Sequence, residues 1–77
     1  MIQSRLRELM ASKSRLERRK ITYSDIASET GISKTTLSML ANDKLGGVSF
    51  STVERLCKYF SCQPGDLFIY VDESGET

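Results

Sequence analysis

Apolar residues recur along this chain at spacings of three and four, the period of an amphipathic helix. Ile2, Leu6, Leu9 and Met10 mark one face of a first helix expected over about residues 2–18, with charged residues opposite. Similar spacing predicts helices over about 23–30, 34–42 and 50–60, and a short fifth of a turn or two from Pro64. "FIYV" at 68–71 has the composition of a strand. No segment alternates with a period of two to pair with it, so an all-α fold of five helices is expected.

Local signals support those starts. Thr22 can cap the second helix with Asp25 three residues on as a capping box, and Ile21 can staple to Ile26 across the entry. Ser33 caps the third helix, where Ile32 and Leu37 repeat the staple spacing. The fourth is capped by Ser49, or by Ser51 with Glu54 as its box partner. Pro64 suits a first helical position. Gln63 would cap that helix, and Asp66 would favour the positive end of its dipole.

"IASETGISKTTLSML", residues 26–40, could be one helix but for Gly31, Ile32 and Ser33. A glycine there turns the chain through a left-handed conformation that a side chain resists. Two short helices joined by three residues cross steeply, as in a helix-turn-helix. Ala27 permits close approach, and Ile32 with Leu37 fills the angle. At about 100° per residue, Leu37 and Leu40 point inward, and Lys34, Thr35, Ser38, Met39 and Asn42 occupy the outer face. That face is short, free of acids and rich in hydrogen-bonding groups, as a helix entering a major groove about 12 Å wide must be. An ordinary solvated face is the bland alternative.

Charge sharpens the picture. The net charge is only +1, yet residues 1–20 hold seven cations against Glu8 and Glu17, a net of +5. The last twelve residues hold Asp66, Asp72, Glu73 and Glu76 and no cation, a net of −4. A basic face and an acidic tail follow, with the domain expected over 1–71 and a disordered tail over 72–77. With two cysteines and no histidine, neither a metal nor a cofactor is expected, and Cys57 and Cys62 read as small apolar core residues. The longest apolar run, "LFIYV", is far short of the roughly 18 to 20 residues that span a bilayer. No apolar leader follows Met1, and a cytoplasmic protein without a membrane partner is the simplest expectation.

"ITYSDIASETGISKTTLSMLANDK", followed by "VSFSTVERLCKYFSCQPGDLF", resembles the Cro/phage-repressor helix-turn-helix family, and above all its small single-domain bacterial regulators. The likeness covers roughly residues 2–10 and 21–70. It implies a five-helix repressor-like DNA-binding domain, sequence-specific binding of duplex DNA and a role in transcriptional control. Carried over by position, Thr22 and Tyr23 would meet phosphate, with Tyr23 near a base edge. Ser33 would sit at the backbone or groove edge, Lys34, Thr35, Ser38 and Met39 would face bases, and Asn42 would hold a phosphate. Tyr23 stands where many relatives have glutamine, and Thr35 and Met39 where they have glutamine or arginine. Lys34 is therefore the strong directional contact, suited to guanine O6 and N7. "SKSRLERRK" exceeds the usual link between the first two helices. It brings Arg15, Arg18, Arg19 and Lys20 toward the start of the second, as added phosphate contacts or as a solvated extension of the first.

Half-sites in such systems pair through a dimer. Phe68, Ile69, Tyr70 and Val71 form the candidate homodimer interface, being richer in apolar residues than one short helix needs; simple packing of the run against the first helix is the alternative. No sensor domain fits in 77 residues, so no small-molecule ligand is expected. The rival reading is a protein-interaction module, an antitoxin or adaptor, on the same scaffold. An enzyme is not expected: there is no histidine, no phosphate-cradling glycine loop, and no base to activate Cys57.

Overall fold

The computed structural model describes residues 1–72. Strand β1 (Ile2–Ser4) leads into α1 (Leu6–Glu17), α2 (Tyr23–Thr30), α3 (Lys34–Ala41), α4 (Phe50–Phe60), α5 (Pro64–Leu67) and strand β2 (Phe68–Tyr70). The fold is helical with one small addition. The strands pair antiparallel, Ile2 opposite Tyr70, Gln3 opposite Ile69 and Ser4 opposite Phe68.

That sheet corrects two expectations at once. The "FIYV" segment does have a partner, and the partner is the stretch expected to open the first helix. Ile2 is consequently 60% exposed rather than part of the buried face. The first helix starts at Leu6, with Ser4 Oγ accepting the Leu6 N–H at 3.0 Å. It stops at Glu17 because Arg18 turns left-handed at φ 56°, while Ser14 Oγ accepts the Ile21 N–H at 2.9 Å.

The core is one cluster of Leu6, Ile21, Ile26, Ile32, Leu37, Leu40, Ala41, Leu56 and Leu67. Both staple pairs, Ile21 with Ile26 and Ile32 with Leu37, are buried in it. Each fully buried Leu or Ile contributes about 1.5–3 kcal/mol relative to exposure, which matters in so small a domain. Ser49, not Ser51, caps α4, accepting the Thr52 N–H at 3.1 Å. Asp66 accepts the Gln63 N–H at 2.9 Å at the start of α5. Cys57 and Cys62 are free thiols, half-buried against the core, and burial pushes the Cys62 thiol up. No helix among the described residues is long and apolar enough to cross a membrane. Of the expected tail, residues 73–77 lie outside the described residues.

Candidate nucleic-acid interface

The interface is built from two helix starts and the turn between them. Thr22 is extended at φ −111° and ψ 167°, and its hydroxyl accepts the Asp25 N–H at 3.2 Å. In return the Asp25 carboxylate accepts the Thr22 N–H at 2.9 Å, closing the capping box. These bonds, helped by the Arg19 guanidinium 3.6 Å away, hold the Asp25 carboxyl below the usual carboxylate range. At the far end of α2, Gly31 adopts φ 79° and donates its N–H to the Ala27 carbonyl at 2.9 Å. Thr30 stiffens the same turn, its hydroxyl donating to the Ile26 carbonyl at 2.7 Å and accepting the Ile32 N–H at 3.1 Å. Ser33 then caps α3 by accepting the Thr36 N–H at 3.1 Å. The glycine and the two caps set the angle, and buried Ile26, Ile32 and Leu37 hold it.

Helix α3 has the two faces its sequence implies. Leu37, Leu40 and Ala41 are buried, whereas Lys34, Thr35, Met39 and Asn42 are exposed and Ser38 is half-buried. Tyr23 differs from the other outer residues, because its ring packs partly against the core. Thr22 and Ser33 are exposed at their helix starts.

Asn42 is less free than its place suggests. Its amide Nδ2 donates to the Ser38 carbonyl at 2.8 Å, and its Oδ1 accepts a hydrogen bond from the Arg7 guanidinium. Arg7 is a residue that sequence reasoning missed. It lies on the polar face of α1, and nothing in the local sequence links it to position 42.

The basic stretch before α2 divides in the same way. Lys13 bonds Glu17 at 2.8 Å and the Tyr59 carbonyl at 3.3 Å, and it sits 4.6 Å from the centre of the Tyr59 ring, tying α1 to α4. Arg19 pairs with Glu17 at 3.1 Å and leans toward Asp25. Arg15 reaches only Ser12, at 3.4 Å, and Arg18 and Lys20 are exposed without a partner among the described residues.

Residues 5–73 match the Cro/C1-type HTH DNA-binding domain family. The chain belongs to this family. Cro/C1-type domains bind DNA and are not an enzyme class. A curated relative, the uncharacterized HTH-type transcriptional regulator YozG of Bacillus subtilis (strain 168), is 38% identical over 55 residues. That match covers 71% of this chain and 66% of the relative, so the chain spans a little under two thirds of the relative's length.

Within this Cro/C1-type domain the expected dimer residues sit on strand β2 and, for Val71, just past its end, not on a short helix. Phe68 packs against the core, Ile69 is 40% and Tyr70 72% exposed, and Val71 is half-buried. Exposed Ile2 faces Tyr70 across the strands, so the apolar patch is wider than residues 68–71 alone. Among the described residues no three His, Cys, Asp or Glu side chains gather where they could hold a metal ion.

Proposed function

We propose that the chain is a sequence-specific regulator of transcription that acts in the cytoplasm, binds duplex DNA as a homodimer and reads one half-site per protomer with α3. The observation that carries this reading is the outer face of α3. Lys34, Thr35 and Met39 are exposed and Ser38 half-buried, with no acid among them, on a helix whose other face is locked by Leu37 and Leu40. Lys34 reads guanine, and Thr35 and Met39 supply contact to a thymine methyl. Thr22, Tyr23, Ser33 and Asn42 set the register on the phosphates, joined by Arg18, Arg19 and Lys20. Arg19, held beside Glu17, offers the N–H groups that this pair leaves over. Phe68, Ile69, Tyr70 and Val71 form the dimer contact, which Ile2 extends.

Selection of bound duplexes from a randomised pool near 0.15 M salt tests the reading. A motif with two-fold symmetry is the expected outcome, because a symmetric dimer reads symmetric half-sites. Binding that yields no motif and disappears as salt rises would contradict it and favour a protein partner for this scaffold.

A further inference from the structure

The contact between Arg7 and Asn42 joins the first helix to the end of the third. Asn42 continues the outer stripe of α3 by one turn, and its side chain is fixed from two sides, by the Ser38 carbonyl and by Arg7. Arg7 is exposed and forms no ion pair among the described residues. Asp43, the acid next to Asn42 in sequence, is engaged elsewhere: its Oδ1 accepts the Ser4 N–H at 2.7 Å. A guanidinium carries five N–H groups in a rigid fork, and Asn42 takes only part of it. An exposed cation at the end of an acid-free stripe, with donors to spare, has the chemistry of a phosphate clamp.

We propose that Arg7 is a DNA-contact residue, its guanidinium shared between Asn42, which it holds against the end of α3, and a backbone phosphate beside the half-site. This rests on the DNA-reading role proposed above for α3. One edge of the fork orients the amide, and the other neutralises the phosphate. Lysine can supply the charge, but its single ammonium lacks the planar fork that serves both partners.

The test is affinity for a fluorescent duplex over a salt series, with wild type, Arg7→Ala, Arg7→Lys, Asn42→Ala and the Arg7→Ala/Asn42→Ala double variant. Melting curves first establish that each variant is folded. Arg7→Ala is expected to bind roughly tenfold more weakly near 0.15 M salt and to flatten the log–log salt slope by about 0.9. Arg7→Lys should restore the slope while remaining several-fold weaker than wild type. Asn42→Ala should leave the slope unchanged, since it removes no charge. The double variant should lose less than the two single losses combined, as coupled residues do. A wild-type slope in Arg7→Ala, or strict additivity in the double variant, would overturn the proposal. The slope can be measured on any duplex the chain binds, so a chain that binds without sequence preference would sink the regulator reading and still leave Arg7 decidable. Absence of duplex binding would end both.

Discussion

The backbone N–H of Ser4 donates a 2.7 Å hydrogen bond to Oδ1 of Asp43, 39 positions along the chain. Ser4 closes β1, and Asp43 directly follows the cap of α3, so the bond fastens the terminal sheet to the end of that helix. Asp43 also takes a positive φ of 58°, which Asp and Asn tolerate better than most side chains. Asp43→Ala should therefore lose the bond and keep the awkward backbone, at about 1–2 kcal/mol. Asp43→Asn retains an acceptor and the local preference and should stay close to wild type. Urea titration separates the two, and equal midpoints would show that the bond contributes nothing.

The capping box at the start of α2 should register directly in stability. Thr22→Ala removes the acceptor for the Asp25 N–H and is expected to cost about 1 kcal/mol. For a domain of this size that lowers the melting temperature by about 4–8 °C.

Asp25 gives the domain a pH dependence of defined sign. Its carboxylate accepts hydrogen bonds from the Thr22 N–H and hydroxyl, so it ionises below the usual range in the folded chain. The stabilisation is complete above the unfolded pKa and is lost as pH falls through the folded one, below about pH 4. Asp25→Asn should be less stable than wild type at neutral pH, and the gap should narrow on acidification through that range. A gap that holds constant down to pH 3 would place the effect elsewhere.

Gly31 tests the turn itself. A Cβ there would lie 3.7 Å from an Arg55 Nη atom, an ordinary contact, so space is available. The cost of Gly31→Ala is instead conformational, because φ is 79°, and should be about 1–2 kcal/mol by urea titration. A far larger loss would point to a clash, and no loss would mean that the turn relaxes to another geometry.

Features set by neighbours in sequence were legible from the chain alone. The Thr22–Asp25 box, the Gly31 turn, the Ser33 cap and the opposed faces of α3 each depend on residues within about one or two helical turns. The terminal sheet was not legible. Its strands are three residues each, too short for alternation to show, and Ile2 and Tyr70 meet only once the helices between them have packed. Ile2 also falls in step with Leu6 and Leu9, which drew the expected first helix too far forward. The Arg7–Asn42 contact escaped for the same reason: its partners lie 35 positions apart, and only the fold brings them together. The long basic link was ambiguous in sequence because its charges look alike. The structure divides them into Lys13 and Arg19, tied to Glu17, Arg15, which reaches Ser12, and Arg18 and Lys20, whose side chains have no partner among the described residues.

The claim that α3 reads bases is tested most directly by Lys34. On the best selected duplex, wild type and Lys34→Ala would be measured against every single base-pair change in one half-site. The account expects Lys34→Ala to lose discrimination at one position, worth about 1–3 kcal/mol, and to keep it at the others. Uniform weakening across all positions would make Lys34 a phosphate contact, and unaltered discrimination at every position would contradict the assignment of α3 as the reading helix.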